Sequence, residues 1–305
     1  MILLWGLPGD GPLRAVYSAL TSRNAPVCLF DQHSIASATL DLNVGTTVHG
    51  SLQWDGKALA LEAITAIYAR PYDVRRLPML SEAGPLSPLW HHGLALDDGM
   101  QAWVEVTPAL VVNRPSMMAS NGSKPYQAEL IRAAGLDLPD TLVTTDAKAA
   151  MAFHEYHGSV IYKSTSGVRS IVSRLGPEHK ERLMDIGNCP TQFQQYIPGV
   201  DYRVHVVGDR VFAAQIVSDA DDYRYAGRSG GRTEIRACTL EPELSGRCRR
   251  LAAELGLFFA GVDLRRSPEG RWYCFEVNPS PGFTFYQEAT GQKIAESVAS
   301  LLADA

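Results

Sequence analysis

Two acids and an amide near the carboxyl end of the chain form the pattern with the clearest chemistry. They are Asp263, in the run Gly261-Val262-Asp263-Leu264, and Glu276 and Asn278, in the run Cys274-Phe275-Glu276-Val277-Asn278-Pro279. Clustered carboxylates in apolar surroundings repel one another unless a cation lies between them. Oxygen ligands of this kind suit Mg²⁺, which often bridges a protein to nucleotide phosphates. The three residues are therefore predicted metal ligands.

A hairpin would bring these three side chains together. Ser267-Pro268-Glu269-Gly270 is typical of a turn between two strands, because Pro and Gly supply turn dihedrals. With a loop of these four residues, Asp263 pairs with Cys274. Because side chains alternate along a strand, Glu276 and Asn278 then share a face with Asp263. A slip of one residue in register would scatter the set, and a surface hairpin with solvated acids is the alternative interpretation.

Length and composition indicate an ordinary globular protein with two or three α/β subdomains. The chain has 305 residues, of which 46% are hydrophobic and 20% charged, and its net charge is -5. An acidic balance offers no electrostatic attraction for nucleic acid. The five cysteines are dispersed without a C-x-x-C pair, which favours a reduced, cytoplasmic setting. No run approaches the roughly 20 apolar residues of a membrane span, so no membrane partner is expected.

The first third of the chain is predicted to contain a β-α-β unit with a parallel sheet. Strands over Ile2–Gly6 and Val27–Phe30 flank a helix over Pro12–Ser22. The glycines after the first strand do not follow G-x-G-x-x-G, so a tight turn is favoured over a nicotinamide site. Arg70 ends a further strand and is a candidate contact for an anionic substrate, with a solvated loop arginine as the alternative.

Two lysines are candidate phosphate ligands. Lys124 begins a helix that is predicted to run to about Ala134, and a lysine beside a helix N-terminus suits a phosphate. Lys163 closes the apolar strand Val160–Tyr162 and precedes a run of small residues, 164–170, that suits a flexible flap over nucleotide phosphates. A polar hairpin turn is the alternative for that run.

The segment that follows the flap suits nucleotide recognition. Gln194-Gln195-Tyr196-Ile197 offers amide side chains and backbone groups for adenine, and Asp201 suits a ribose hydroxyl or a substrate cation. Arg203 and Arg265 join Arg70 as candidate contacts for an anionic substrate.

An arginine-rich run over residues 219–236 has two interpretations. Mixed charge of this kind is usual in a solvated loop. An arginine such as Arg224 beside a phosphate and metal site would instead stabilise charge that develops on a transferred phosphoryl group.

In the order of these residues the chain resembles the ATP-grasp superfamily, in particular its RimK-like carboxylate-amine ligases. The most specific part is Glu276-Val277-Asn278-Pro279-Ser280-Pro281-Gly282-Phe283, followed by Ala289-Thr290-Gly291. The resemblance covers about residues 111–305. Asp222-Tyr223-Arg224 together with Asn113-Arg114-Pro115 is also similar to ligases that crosslink microviridin-type peptides.

The resemblance implies an α/β (α+β) protein with an ATP-grasp fold and an N-terminal Rossmann-like pre-ATP-grasp domain. The expected domains are the pre-ATP-grasp domain over 1–113, a central lid subdomain over 114–190 and a C-terminal subdomain with the metal site over 191–305. Relatives often have a flap richer in glycine than this one, which contains only Gly167, and a late hairpin that is one residue shorter.

The resemblance also implies a role for each site residue. Arg224 acts in catalysis near the γ-phosphate, and the metal ligands are Asp263, Glu276 and Asn278. The implied ATP-binding residues are Lys124, Lys163, Gln194, Gln195, Tyr196, Ile197 and Asp201. The implied cofactors are ATP and one or two Mg²⁺ ions, with Mn²⁺ as a substitute.

The implied reaction activates a substrate carboxylate as an acyl phosphate and joins it to an amine or hydroxyl, on a peptide or an amino acid. A small-molecule kinase and a nucleotide-binding regulator without turnover are the alternatives. A homo-oligomer is a further expectation from the resemblance.

Overall fold

Helices packed on β-sheets organise the protein, and its computed structural model describes residues 1–165, 172–179, 181–218 and 233–305. The strands in these ranges are β1 (Ile2–Gly6), β2 (Val27–Asp31), β3 (Thr39–Val44), β4 (Val48–Trp54), β5 (Lys57–Ala60), β6 (Ala66–Arg70), β7 (Leu110–Val112), β8 (Thr141–Thr144), β9 (Val160–Ser164), β10 (Ser173–Arg174), β11 (Thr191–Gln195), β12 (Val200–Val207), β13 (Arg210–Ser218), β14 (Thr233–Cys238), β15 (Phe259–Arg266) and β16 (Trp272–Asn278). The predicted mixed α/β class is confirmed.

The α-helices in the same ranges are α1 (Gly11–Ser22), α2 (Pro78–Ala83), α3 (Pro88–Val106), α4 (Pro115–Met118), α5 (Lys124–Ala133), α6 (Ala147–His157), α7 (Pro242–Glu254), α8 (Thr284–Thr290) and α9 (Ile294–Ala303). Short 3₁₀ helices cover Gln32–Ala36, Leu61–Ala63, Val74–Arg76, Ala119–Gly122, Pro177–His179 and Glu181–Asn188. None of the described helices is both long and apolar enough to cross a membrane.

The amino-terminal sheet is parallel, with the strand order β2-β1-β6-β7. Strand β1 is buried along its whole length because helices cover both faces. The predicted β-α-β unit is confirmed, and α1 begins one residue earlier than predicted because Asp10 caps it, accepting a hydrogen bond from the Leu13 N–H at 2.7 Å. On the same face as α1, the last helix α9 buries Val298 and Leu302 against this sheet.

A second, antiparallel sheet of strands β3-β4-β5 extends from the amino-terminal part. It buries Leu52 and Trp54 in the same apolar cluster as Trp103 of α3. A third sheet, called the lid sheet below, has the order β10-β9-β11-β8 and packs on α6 around Val160 and Phe193.

The fourth sheet, called the large sheet below, is antiparallel with the order β14-β13-β12-β15-β16. The sequence also predicts a hairpin in which Gly208-Asp209 joins strands over Val204–Val207 and Arg210–Val217, and this hairpin is confirmed as β12 and β13. One face is covered by α5 and α7, which bury Ile131 and Leu251 against Val262 and Val277. The opposite face carries the charged residues of the candidate site.

The predicted division into three domains, with boundaries at residues 113 and 190, stays a prediction. The strand pairing of β11 and the packing of α5 suggest where the lid subdomain begins and ends. Strand β11 pairs with β8 and β9, so the lid sheet extends to Gln195. Helix α5 packs in the core of the large sheet rather than in the cluster around Phe193. We therefore propose that the lid subdomain comprises β8 to β11 with α6.

Candidate nucleotide and metal site

The late hairpin brings Asp263, Glu276 and Asn278 to one face, but by a different register from the predicted one. The loop has five residues, Ser267–Arg271, and Asp263 pairs with Glu276 rather than with Cys274. A β-bulge between Asp263 and Leu264 in the register leaves Phe275 as the extra residue of β16.

The two differences compensate. A five-residue loop by itself would put Glu276 on the face opposite Asp263, and the extra residue Phe275 reverses that change. Cys274 consequently points into the apolar core and is fully buried, whereas Glu276 stays on the site face. The predicted pairing with Cys274 is wrong, although the shared face that it implied is present.

Two strands of this face carry the same Asp-x-Arg pattern in antiparallel order. Asp201 and Arg203 of β12 lie opposite Arg265 and Asp263 of β15, respectively. Each acid therefore faces an arginine, with Arg203 Nη1 2.5 Å from Asp263 Oδ1 and Arg265 Nε 2.6 Å from Asp201 Oδ1. Opposite charges directly across antiparallel strands stabilise the pairing. Sequence reasoning missed this four-residue arrangement, for which the repeated pattern was the available signal.

Lys124 is brought to the same face by α5. Its Nζ atom lies 2.9 Å from Glu276 Oε2, and both side chains are about a quarter exposed, at 25% and 29%. Burial raises the pKa of Glu276, but the charges of Lys124, Lys163 and Arg203 outweigh that effect and hold the pKa below its ordinary value. The charge of Lys163, from the lid sheet, thus reaches the same carboxylate.

Helix α5 is fixed to the edge strand β16 by the Gln127 side chain, whose amide forms hydrogen bonds with backbone groups as a neighbouring strand would. Gln127 Nε2 donates to the Val277 carbonyl at 2.8 Å, and the Val277 N–H donates to Gln127 Oε1 at 2.9 Å. These bonds satisfy backbone groups that an edge strand would leave unpaired. Gln127 therefore sets the position of Lys124 relative to Glu276, and no local sequence pattern indicated it.

The side-chain oxygens of Asp263, Glu276 and Asn278 are ligands of the type that a hard divalent cation prefers. Asp263 and Glu276 supply two carboxylates with partly exposed side chains, and Asn278 adds an amide oxygen. Asn278 Oδ1 accepts a hydrogen bond from the Ser280 N–H at 2.9 Å, and an amide oxygen has a second lone pair. Within the described ranges no group of three or more His, Cys, Asp or Glu residues is arranged to hold a metal. The remaining ligands would have to come from Asn278 and from a bound nucleotide.

Gly261 makes room for Arg203 beside this set. A Cβ atom at Gly261 would overlap the Arg203 guanidinium and would come within 2.7 Å of Pro281 Cβ. Arg203 is only 5% exposed, and its Nε lies 3.4 Å from Nε2 of the buried His205. Arg203, predicted as a substrate contact, thus already holds Asp263 in the structure.

The segment predicted for adenine joins the lid sheet to the large sheet. Gln194 is buried and its Nε2 donates to Thr141 Oγ1 at 3.0 Å, while its Oε1 has no hydrogen-bond partner among the described residues. A buried acceptor without a donor is costly. The exocyclic amine of adenine is a donor of the kind that this oxygen lacks, so Gln194 fits a purine ligand.

Backbone groups of the same segment are held from both sides. The Gln195 N–H donates to the Asp140 carbonyl at 2.8 Å, and the Tyr196 N–H donates to the Ser159 carbonyl at 3.0 Å. The Ile197 carbonyl accepts from Arg265 Nη1 at 2.8 Å. The Arg174 guanidinium lies 3.9 Å from the centre of the Tyr196 ring, a cation–π contact from the lid sheet.

The third predicted substrate arginine is also engaged by the protein. Arg70 Nε and Nη2 donate to the Asp10 carboxylate at 2.8 and 3.3 Å, and Nη1 donates to Ser280 Oγ at 2.9 Å and to the Pro281 carbonyl at 3.3 Å. Arg70 therefore joins the amino-terminal sheet to the loop after Asn278. Its role as a substrate contact stays a prediction.

Asn113 makes a second connection to that loop. Its Nδ2 donates to the carbonyls of Phe259 and Pro279, both at 2.6 Å, and its Oδ1 accepts from the N–H groups of Phe258 and Phe259. The side chain is buried, so these bonds have no competition from water. Asn113 thereby fixes the start of β15 and the end of the run predicted to bind the metal against the amino-terminal sheet.

Two predicted elements lie outside the described residues. They are Arg224, with the arginine-rich run around it, and most of the flap, including Gly167. Their roles stay predictions.

Comparison with known proteins identifies the family. Residues 122–302 match the RimK-like ATP-grasp domain, which is more than half of the chain. The chain belongs to the RimK-like ATP-grasp family. The resemblance that the sequence showed is thereby confirmed, and so is the predicted ATP-grasp fold.

Three similar proteins illustrate the relationship of this RimK-like chain. A probable alpha-L-glutamate ligase of Mannheimia succiniciproducens is 27% identical over 201 residues, which cover 63% of this chain and 66% of that relative. The chain thus spans slightly less than two thirds of that relative's length. The ATP-grasp ligase PsnB, solved with a minimal precursor, Mg and ADP, gives a TM-score of 0.80 at 27% identity, covering 99% of this chain and 96% of PsnB. The macrocyclase MdnC of Microcystis aeruginosa, solved with its precursor peptide MdnA, gives a TM-score of 0.83 at 18% identity, covering 100% of this chain and 99% of MdnC.

Within the RimK-like fold, the candidate site lies where the lid sheet faces the large sheet. Lys163 and Gln194 belong to the lid sheet, whereas Asp263 and Glu276 belong to the large sheet. A ligand that contacts all four residues would be enclosed between the two sheets. The structure thus brings the predicted phosphate, base and metal residues to one region, with Arg224 outside the described residues.

Proposed function

We propose that the protein is an ATP-dependent ligase that activates a carboxylate as an acyl phosphate and joins it to an amine or a hydroxyl. The observation that carries this proposal is the convergence of Lys124, Lys163 and Arg203 on the acidic set formed by Asp263 and Glu276. Cations and carboxylates alternating on one sheet face suit a magnesium nucleotide, whose phosphates need cations and whose metal needs oxygen ligands.

ATP is the nucleotide favoured by the adenine segment. The buried Gln194 Oε1, which lacks a hydrogen-bond partner among the described residues, would accept from a purine amine, and the backbone N–H of Ile197 is a donor of the kind that a ring nitrogen needs. Membership of the RimK-like family and the ADP bound to PsnB support the same choice.

The reaction takes place in two steps. An oxygen of the substrate carboxylate attacks the γ-phosphorus of ATP, the bond to the bridging oxygen breaks, and an acyl phosphate and ADP result. The amine or hydroxyl then attacks the acyl carbon, and inorganic phosphate leaves as the amide or ester bond forms. The proton lost by the nucleophile goes to solvent or to the departing phosphate. Both steps depend on positioning and on stabilisation of phosphate charge.

Residues of this chain supply most of that stabilisation. Lys124 and Lys163 bind phosphate oxygens, and Arg224 stabilises the transferring group. Asp263, Glu276 and Asn278 would hold one or two Mg²⁺ ions, with Mn²⁺ as a substitute. When bound, the metal neutralises phosphate charge. As the nucleotide binds, Lys124 exchanges its hydrogen bond with Glu276 for one with a phosphate.

A peptide with side-chain carboxylates is the proposed substrate. PsnB and MdnC were solved with precursor peptides, and this chain aligns with both over nearly its full length. The arginine-rich run over 219–236 would attract an acidic peptide, whereas the net charge of -5 would repel it at long range. We therefore propose that the peptide is recognised by local arginines and not by the overall charge. A homo-oligomer and a cytoplasmic location are further proposals.

The proposal is tested by the products. The protein is mixed with ATP, MgCl₂ and a library of acidic peptides that contain lysine, serine and threonine, and ADP, phosphate and peptide mass are followed together. A ligase releases ADP and phosphate in equal amounts and produces a peptide that has lost one water. Hydroxylamine added to the same mixture traps the acyl phosphate as a hydroxamate.

Other outcomes identify the alternatives. ADP without free phosphate, with a phosphorylated product, indicates a kinase, and ATP binding without ADP formation indicates a regulator. Glu276→Gln should abolish turnover, whereas Glu269→Gln, which removes one exposed carboxylate from the loop of the same hairpin, should not change it. Equal turnover of the two variants would contradict the proposed site.

A further inference from the structure

We propose that Arg265 is a positioning residue for the nucleotide, and that it holds the adenine segment and Asp201 against the strand that carries Asp263. This inference rests on the proposed nucleotide site. It replaces the substrate contact predicted for Arg265 by a role that acts through Ile197 and Asp201. The role is independent of which acid and which nucleophile the protein joins.

All three nitrogen atoms of the Arg265 side chain bind the protein. Nε and Nη2 form a two-pronged ion pair with Asp201 at 2.6 and 2.8 Å, and Nη1 donates to the Ile197 carbonyl at 2.8 Å. The side chain is 14% exposed and that of Asp201 is 20% exposed. Planar bidentate pairs with little water access are among the stronger polar contacts in proteins.

Aromatic rings fix the plane of the same guanidinium. Its central carbon lies 5.3 Å from the centre of the Phe275 ring and 5.8 Å from that of Tyr196. Phe275 is the extra residue of the β-bulge in β16. The bulge that places Glu276 opposite Asp263 therefore also supplies a packing surface for Arg265.

The adenine segment is held to β15 at a second point. A Cβ atom at Gly199 would overlap the carbonyl of Arg266, and Gly199 has a φ of +149°. Glycine thus permits the backbone of residue 199 to approach β15 closely. Arg265 holds Ile197 and the close approach holds Gly199, so the segment Ile197–Gly199 is fixed to the large sheet at two points.

Two consequences for the nucleotide follow. The Ile197 carbonyl is occupied by Arg265, so the backbone at this residue presents its N–H as the group available to a base. Asp201 is kept in a fixed orientation by its two bonds from Arg265, and its remaining lone pairs can accept hydrogen bonds from ribose hydroxyls. Without Arg265, the arginine left beside Asp201 on the same face would be Arg203 of β12. Asp201 would then compete with Asp263 for the Arg203 guanidinium.

The test compares nucleotide affinity in Arg265 variants of the full chain. Calorimetry gives the Kd of MgATP and of Mg-3′-deoxyATP for wild type, Arg265→Leu and Arg265→Lys. Because Asp201 and the Ile197 carbonyl both lose the group that orients them, we expect the Kd of MgATP to rise at least about tenfold in Arg265→Leu. Lysine keeps the charge but not the fork, so Arg265→Lys should show a smaller rise. In turnover assays, KM for ATP should rise while kcat at saturating ATP falls less than about threefold.

A change in selectivity separates positioning from a general loss of structure. Wild type should prefer ATP over 3′-deoxyATP, and the preference should shrink in Arg265→Leu because Asp201 is no longer oriented toward the ribose. Arg266→Leu is the matched control, since Arg266 is exposed and adjacent on the same strand, and it should leave both Kd values unchanged.

Three results would overturn the inference: unchanged MgATP affinity in Arg265→Leu, an unchanged preference for ATP over 3′-deoxyATP, or an equal loss in Arg266→Leu. If Arg265→Leu does not fold, as judged by circular dichroism, the Kd and the selectivity of Arg265→Lys decide by the same criteria. Failure of wild type to bind MgATP would instead refute the proposed function.

Discussion

Lys124 Nζ and Glu276 Oε2 lie 2.9 Å apart and join the first residue of α5 to the edge strand of the large sheet. The pair faces the lid sheet, whose Lys163 also lowers the pKa of Glu276. In the protein without ligands, a lysine thus compensates the carboxylate that we assign to the metal. We propose that nucleotide binding replaces that contact by one with a phosphate, which would couple metal binding to ATP binding.

Replacing Lys124 with methionine should reduce kcat/KM for ATP by at least about 100-fold, because a charged phosphate contact is lost and Glu276 is left without its main cation. The free energy of unfolding should change by less than about 1 kcal/mol, since the ion pair is partly exposed. Steady-state kinetics and urea denaturation check the two effects. Lys148→Met, on the exposed surface of α6, is the control, and equal kinetics for both variants would exclude Lys124 from the site.

Gln194→Met should have opposite effects on stability and on binding. Removing the buried oxygen that lacks a donor should outweigh the loss of the Nε2 bond to the exposed Thr141, so the free energy of unfolding of the ligand-free protein should rise by up to about 1 kcal/mol. The Kd of ATP should rise about tenfold, because the purine amine loses its acceptor. Denaturation with and without ATP measures both. The exposed Gln53→Met should change neither, and tighter ATP binding by Gln194→Met would refute the assignment.

Asn113→Ala should destabilise the protein by about 2–4 kcal/mol. It removes four hydrogen bonds and leaves buried backbone groups of Phe259 unpaired. Urea denaturation measures the loss. Asn43→Ala, at an exposed position of β3, should stay within about 0.5 kcal/mol of wild type. A change at Asn113 as small as that at Asn43 would mean that the connection between the two sheets contributes little.

His205 should make stability depend on pH. Burial and the neighbouring Arg203 hold the pKa of this histidine well below 6.5, whereas a hydrogen bond to the Gly282 carbonyl opposes that shift. The unfolded chain therefore takes up a proton near pH 6.5 that the folded protein does not. The free energy of unfolding therefore has its full value above about pH 6.5. It falls as the pH is lowered below that value, by up to about 1.4 kcal/mol per pH unit.

His205→Gln should flatten this dependence between pH 7 and pH 5, and the exposed His49→Gln should leave it unchanged. Urea denaturation at several pH values provides the measurement. An identical slope in wild type and His205→Gln would show that His205 is protonated in the folded protein as readily as in the unfolded chain.

Local patterns in the sequence predicted several elements well. The β1-α1-β2 unit, the β12–β13 hairpin and the start of α5 at Lys124 all follow from alternation, turn residues and helix-start signals. Each of these depends on residues that are close together in the chain. The family motif around Glu276 and Asn278 extended the prediction to the ATP-grasp fold.

The register of the late hairpin could not be predicted in the same way. A five-residue loop and a bulge at Phe275 each shift the pairing by one residue, and their effects on Glu276 cancel. Turn residues alone do not distinguish a loop of four from one of five, and a bulge depends on tertiary packing such as that of Arg265 on Phe275.

Contacts from distant side chains to backbone groups were also missed. Gln127 binds β16 and Asn113 binds β15 across about half of the chain's length, and neither has a local signature. The Asp201–Arg265 pair was predictable in principle. Two Asp-x-Arg runs on antiparallel strands place each acid opposite an arginine, once the strands are known to be neighbours.

Calorimetric titration of ATP, with and without Mg²⁺, into wild type and Glu276→Gln tests the central claim most directly. Glutamine keeps the shape and an acceptor for Lys124 but removes the charge that the metal needs. We predict that wild type binds ATP at least about tenfold more tightly with Mg²⁺ than without it, and that Glu276→Gln loses this difference. Equal ATP affinity of wild type with and without Mg²⁺, or an undiminished Mg²⁺ effect in Glu276→Gln, would contradict the proposed site.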